Sequence, residues 1–190
     1  MFRNLDIFGM YKREWIAFFS QTGAEICDIS ERIGRWPDRI VTNLSQEEKG
    51  KIDKRMPVNL IYFTNNRKPL YEEYLSLLAF AVDPIITLHG WLRIVPEELC
   101  GKYEIYNGHP GLITKYPELK GKDPQIRAFE GGYEEAGCVL HRVVAAVDEG
   151  PILFSKSFLV EKLSLDELFL KFRESSLNLW IKFFMENNIC

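Results

Sequence analysis

The sequence has 190 residues, 46% of them apolar and 13% aromatic, which is enough to bury the core of one domain. Its 24 basic and 27 acidic residues leave a net charge of -3 and are scattered, which argues against a nucleic-acid partner held by charge. Widely spaced cysteines, no signal-peptide pattern and no apolar run near the roughly 18 residues of a membrane span predict a cytoplasmic protein without metal or membrane partner.

Seven short segments predict β-strands, because apolar residues in each are continuous or alternate with polar ones. The first follows a lead over residues 1–13, and the whole chain, 1–190, is expected to form one domain. In chain order the predicted strands are 15–19, 39–42, 58–63, 84–88, 104–106, 138–144 and 152–160.

Helical patterns lie between these strands. Ile26, Ile29 and Ile33 share one face of a helix that Gly34 ends. Capping-box spacing, or a proline at the first helical position, marks further starts. These signals predict one helix that begins at residue 45, a second that begins at residue 69, and two more over 123–130 and 164–185. Alternating strands and helices indicate an α/β, Rossmann-like fold, with a mostly parallel central sheet covered by helices on both faces.

The residues that follow the strands carry the chemistry, because ligands bind open parallel sheets at the carboxyl ends of their strands. Asn107 and His109 follow the fifth strand, and Asp148 follows the sixth. Taken singly, Asn-Gly, His-Pro and Asp-Glu-Gly-Pro are also ordinary turn sequences. Together they predict an amide, an imidazole and a carboxylate at neighbouring strand ends.

Five segments in this region resemble the folate-dependent formyltransferase family in their order and spacing. They are LHGWLRIV (88–95), NGHPGLI (107–113), YPELKG (116–121), GCVLHRV (137–143) and DEGPI (148–152). Weaker matches at 20–26 and in the last predicted helix extend the resemblance over most of the chain. The resemblance implies a formyltransferase fold.

The resemblance also implies an activity, the transfer of a formyl group from 10-formyltetrahydrofolate to a small-molecule amine through a tetrahedral intermediate. Asn107 and a protonated His109 would donate hydrogen bonds to the oxygen that gains negative charge. Asp148 would keep His109 charged and relay the proton of the amine through water. His89 and His141 are placed outside this catalytic set.

The resemblance places a folate pocket on both sides of these residues. Backbone groups there would pair with the pterin, and apolar side chains would exclude water. The expected pocket residues are Leu92, Arg93, Ile94, Val95, Ala145, Ala146 and Val147.

The acceptor end departs from the purine-biosynthetic members of the family. Their phosphate-gripping G-S-N turn corresponds to Gly23-Ala24-Glu25, and their K-x-x-E pair to Arg173 and Ser176. Gly23, Glu25 and Arg173 are therefore the expected acceptor-binding residues. Since the Glu25 carboxylate would repel a phosphate, we expect glycinamide ribonucleotide to be a poor acceptor.

Other acceptors and other functions stay open at this point. Initiator transfer-RNA formyltransferases carry an additional C-terminal domain, which these 190 residues do not include. A nucleotide-linked amino sugar or another small amine fits the pattern. The alternatives from other classes are a non-catalytic folate or nucleotide-binding module and a formyltetrahydrofolate hydrolase. Retention of Asn107, His109 and Asp148 together argues against the binding module.

Overall fold

The computed structural model describes residues 13–189, so the predicted lead over 1–13 lies almost wholly outside the described residues. Seven strands form one sheet in the order β3-β2-β1-β4-β5-β6-β7. Their bounds are β1 Glu14–Phe19, β2 Arg39–Thr42, β3 Ile61–Phe63, β4 Pro84–His89, β5 Glu104–His109, β6 Glu135–Arg142 and β7 Ile152–Leu159.

Six of the strands run in one direction, and β6 runs against them. β1 pairs in parallel with β2 and β4, β2 with β3, and β4 with β5. β6 runs antiparallel to β5 and to β7. All six residues of β4 and five of the six in β1 are buried, as expected for central strands covered on both faces. The predicted mostly parallel sheet is confirmed.

Helices cover both faces of the sheet. They are α1 Ala24–Ile33, α2 Tyr71–Leu77, α3 Glu97–Lys102, α4 Pro124–Glu130 and α5 Leu165–Glu186. One core cluster joins α1, α4 and α5 to the sheet, and a second joins α2 and α3 to its other face. None of the helices within residues 13–189 has the length and apolar character that a membrane span requires.

Several predicted elements differ from the structure: the fifth strand extends to His109, and the helix predicted from 45 is a 3-10 helix over Gln46–Lys51. Residues 58–60 form a 3-10 turn after Pro57, so β3 is shorter than the predicted strand. α3 was not predicted, because its six residues give no helical repeat to detect. β6 begins three residues before the predicted strand and ends at Arg142. The closing helix is confirmed as one continuous element, which Ser164 and Glu167 start with a capping box.

Candidate active site

The last residues of β5 form the floor of the candidate site. Asn107, Gly108 and His109 belong to the strand itself, and Asn107 lies opposite His141 of β6. A Cβ atom at Gly108 would lie 2.9 Å from the indole nitrogen of Trp180, which is fully buried. Glycine is therefore required there, because the strand lies directly on this tryptophan.

Asp148 reaches the site by a route that differs from the prediction. Because β6 is antiparallel to β5, its carboxyl end does not lie beside the carboxyl end of β5. The loop 143–151 instead turns back, with Asp148 in the left-handed region at φ 55°. Its carboxylate Oδ2 accepts a hydrogen bond from the backbone N–H of Gly121 at 2.9 Å. The loop thus holds the carboxylate against the 117–121 segment.

Asp148 lies between two imidazole rings. Its Oδ2 is 3.4 Å from Nδ1 of His109, and its Oδ1 is 3.5 Å from Nε2 of His141. The side-chain amide nitrogen of Asn107 lies 3.2 Å from the same Nε2 of His141. The three predicted residues are therefore brought together, and His141 links two of them. Strand alternation alone could not identify His141, since its role depends on the antiparallel register with Asn107.

The protonation of His109 differs from the sequence-based expectation. Its Nε2 lies 2.9 Å from the carbonyl oxygen of Leu119, which only accepts hydrogen bonds, so Nε2 carries the proton of the neutral ring. Burial lowers the pKa of His109 by more than the neighbouring Asp148 raises it. Burial thus opposes the charged form of His109 that Asp148 is expected to favour.

Asp148 itself is ionised. Burial raises the pKa of this carboxyl, but the neighbouring His141, the Gly121 N–H and the neighbouring His109 outweigh burial and lower the pKa overall. The site therefore combines a carboxylate with a neutral imidazole whose Nδ1 faces it. Such a pair can take up one proton from a reacting group.

The two predicted folate-lining segments expose apolar side chains. Leu92 and Ile94 are 59% and 75% exposed, and Val147 is 55% exposed. Ala145 and Ala146 are exposed as well, whereas Val95 is buried in the second core cluster. Arg93 donates hydrogen bonds to the carbonyl oxygens of Arg67 and Leu92. Val95 thus belongs to the core, Arg93 is partly buried, and the other residues of the two segments are exposed.

The predicted acceptor-binding residues lie where α1 meets α5. Gly23 caps α1 at φ 71°, and Glu25 hydrogen-bonds His89 and Ser176. Arg173 is 58% exposed and donates from Nε to Asp28 at 2.8 Å. Glu25 and Arg173 therefore do not contact each other as a pair. Glu25 binds His89 and Ser176, whereas Arg173 binds Asp28.

Comparison with known proteins identifies the family. A model of the formyl transferase family matches residues 31–181. The chain belongs to the formyl transferase family. The matched range of this formyl transferase family member includes Asn107, His109, His141 and Asp148, and begins after Glu25.

Relatives of this formyl transferase family member include an enzyme of Bacillus subtilis (strain 168) named phosphoribosylglycinamide formyltransferase. Over 80 residues the two are 32% identical, which covers 41% of this chain and 40% of the relative. The matched segment is thus less than half of that relative.

Solved structures share the fold of this formyl transferase family member. Phosphoribosylglycinamide formyltransferase from Streptococcus pneumoniae TIGR4 aligns with a TM-score of 0.74 at 19% identity, over 92% of this chain and 98% of that one. A formyltetrahydrofolate deformylase from Pseudomonas syringae pv. tomato str. DC3000 aligns with a TM-score of 0.72 at 19% identity, over 90% and 59%. At such identities the likeness establishes the fold.

Proposed function

We propose that this chain transfers a formyl group from 10-formyltetrahydrofolate to the amino group of a small molecule, with Asn107, His109 and Asp148 as catalytic residues. The observation that carries the proposal is the 3.4 Å contact between Nδ1 of His109 and Oδ2 of Asp148, at the end of β5. Membership of the formyl transferase family supports the class of reaction.

The central requirement of this reaction is the movement of one proton. The amine nitrogen bonds to the formyl carbon, the bond from that carbon to the donor nitrogen breaks, and the proton lost by the amine must reach the donor nitrogen. Nδ1 of His109 has no proton in the neutral ring, and it faces an ionised carboxylate. It can therefore accept the proton, become one half of an ion pair with Asp148, and then release the proton.

Asn107 is placed to stabilise negative charge on the formyl oxygen. Nδ1 of His141 lies 3.0 Å from the carbonyl oxygen of Arg142, so Nδ1 carries the ring proton and Nε2 accepts from the Asn107 amide. An amide nitrogen has a second hydrogen, which can donate to the developing oxyanion. Such a donor contributes roughly 3 to 4 kcal/mol in other enzymes. We propose His141 as the positioning residue for Asn107.

The predicted folate-lining residues offer a surface that fits a folate. Leu92, Ile94 and Val147 offer exposed apolar surface for a heterocycle, and Ala145 and Ala146 allow close approach to the backbone. When bound, 10-formyltetrahydrofolate supplies the activated formyl carbon. We place the acceptor at Gly23, Glu25 and Arg173, and we propose a small amine other than glycinamide ribonucleotide.

The test is formation of tetrahydrofolate by the purified protein, with glycinamide ribonucleotide, nucleotide-linked amino sugars and simple amines as acceptors. His109→Ala and Asp148→Asn are each expected to lower turnover at least about a hundredfold while folate affinity is retained. Glu149→Gln is the matched control, because Glu149 is the exposed neighbour of Asp148 and pairs with Lys120.

Each outcome of this assay has a defined meaning. Full activity of both His109→Ala and Asp148→Asn would refute the proposed catalytic residues. Tetrahydrofolate formation without any amine would replace formyl transfer by hydrolysis. Absence of thermal stabilisation by millimolar concentrations of a deaza analogue of the folate would contradict the folate assignment.

A further inference from the structure

One side chain at the start of α1 is surrounded by hydrogen-bond donors. Glu25 is the second residue of this ten-residue helix, and the helix N-terminus attracts negative charge. Its Oε2 lies 2.8 Å from Nδ1 of His89, and its Oε1 accepts from the hydroxyl of Ser176 at 2.5 Å. Both carboxylate oxygens are therefore engaged, by residues of β4 and α5.

A chain of donors ends on this carboxylate. The indole N–H of Trp15 donates to Thr87 Oγ1, and that hydroxyl lies 2.8 Å from Nε2 of His89. Because an ionised carboxylate only accepts hydrogen bonds, Nδ1 of His89 is the donor to Glu25. Trp15 and Thr87 are completely buried, so the core holds His89 in place beside Glu25.

A further donor points at the same place. Trp180 is completely buried, and its indole nitrogen makes no full hydrogen bond within residues 13–189. This N–H nevertheless contributes to lowering the pKa of the Glu25 carboxyl. Partial burial raises the pKa of Glu25, but His89, Ser176 and Trp180 together outweigh it. The two carboxylate oxygens thus pair with His89 and Ser176, and the Trp180 N–H is a third donor without a hydrogen bond of normal geometry.

The pocket adjoins the proposed catalytic centre. The Trp180 ring packs against Gly108, the residue between Asn107 and His109 in the sequence. The centroid of this ring is 4.6 Å from the centroid of the His89 ring. The Glu25 side chain is 32% exposed, so the carboxylate is also reached from outside the core. A ligand group bound in place of this carboxylate would therefore lie beside the end of β5.

We propose that the donors of His89, Ser176 and Trp180 form an anion-binding pocket, and that the Glu25 carboxylate permanently occupies it. Its presence would exclude phosphate from this side of the proposed active site. The acceptor would then be an amine without a phosphate group at this position, a conclusion that rests on the proposed function. Removing the carboxylate would leave His89, Ser176 and Trp180 as unpaired donors around a space that a phosphate or sulfate can enter.

The test uses Glu25→Ala and inorganic phosphate, with sodium chloride at equal ionic strength as reference. The indole N–H signals of the four tryptophans are recorded on isotope-labelled protein, and Trp180→Phe assigns the signal of Trp180. We expect a saturable shift of that signal with Glu25→Ala and none with the wild type. At ten times the dissociation constant, phosphate should raise the folding equilibrium constant about tenfold.

Two variants control for other effects. Glu25→Gln keeps the volume of the side chain and should not bind phosphate. Glu31→Ala removes the same charge from an exposed position of α1 and should also leave the Trp180 signal unchanged. If Glu25→Ala does not fold, Glu25→Ser serves as the second variant that opens the pocket.

The outcomes separate this inference from the proposed function. A folded Glu25→Ala or Glu25→Ser without a phosphate-dependent Trp180 signal overturns it, as does equal phosphate binding by the wild type. These measurements involve no formyl transfer. In a separate assay, Glu25→Ala should gain at least about tenfold in kcat/KM for a phosphorylated amine relative to its dephosphorylated counterpart.

Discussion

Replacing Gly150 by alanine should disrupt the loop that carries Asp148. A Cβ atom at Gly150 would lie 1.7 Å from the carbonyl oxygen of Arg142, whereas ordinary contact begins at 3.4 Å. The backbone of the loop must therefore retreat by about 1.7 Å. This movement breaks the 2.9 Å hydrogen bond from Arg142 N–H to the carbonyl oxygen of Pro151.

The size of the effect follows from these contacts. Overpacking costs about 1 to 3 kcal/mol, and a lost backbone hydrogen bond adds about 1 kcal/mol. For Gly150→Ala we expect a loss of about 3 kcal/mol, which lowers the melting temperature by roughly 6 to 12 °C in a domain of this size. Because Asp148 moves with the loop, formyl transfer should fall at least about a hundredfold.

The assay combines thermal unfolding with tetrahydrofolate release, and Gly101→Ala is the control. Gly101 lies within α3, and no atom lies within 4 Å of its added Cβ, so this change should be neutral or stabilise by up to about 1 kcal/mol. A Gly150→Ala protein that melts and reacts like the wild type would refute the reasoning about the loop.

Three further outcomes are expected. Because burial lowers the pKa of His109, the unfolded state binds its proton more readily, so the free energy of unfolding should fall as pH drops below about 6.5. Denaturant titrations from pH 7.5 to 5 measure this fall, which should be smaller in His109→Asn. Ser164→Ala should cost about 1 kcal/mol, measured as a lower melting temperature, through loss of the α5 cap. Tyr74→Phe should cost about 1 to 3 kcal/mol in urea unfolding, because the Trp91 indole N–H loses its buried acceptor; a variant as stable as the wild type would contradict this.

The sequence was most informative where local patterns decide the structure. The strand over Arg39–Thr42 has the predicted bounds, because its apolar residues are buried as the pattern requires. Residues 58–60 were assigned to a strand on apolar character, but Pro57 and the polar Asn59 favour the observed turn. α3 is too short to produce a periodic signal.

Long-range pairing limited the prediction of the site. Asn107, His109 and Asp148 were found from strand ends and motifs, but the place of His141 between Asn107 and Asp148 depends on an antiparallel register. The charge of His109 was predicted from Asp148 alone, whereas burial dominates its pKa. Contacts such as that of Glu25 with Ser176, which are 151 positions apart, leave no pattern in the sequence.

The dependence of the cleft on α5 has a consequence for the order of folding. Trp180 supports Gly108 from below, Ser176 binds Glu25, and Arg173 binds Asp28, so α5 ties together elements made much earlier on the ribosome. Chains grow at about 5 to 20 residues per second. The parallel strands can therefore pair for seconds before α5 emerges, with apolar surface open to chaperones or to other nascent chains. Substitutions in α5 should consequently reduce the yield of folded protein more than their effect on the finished molecule predicts.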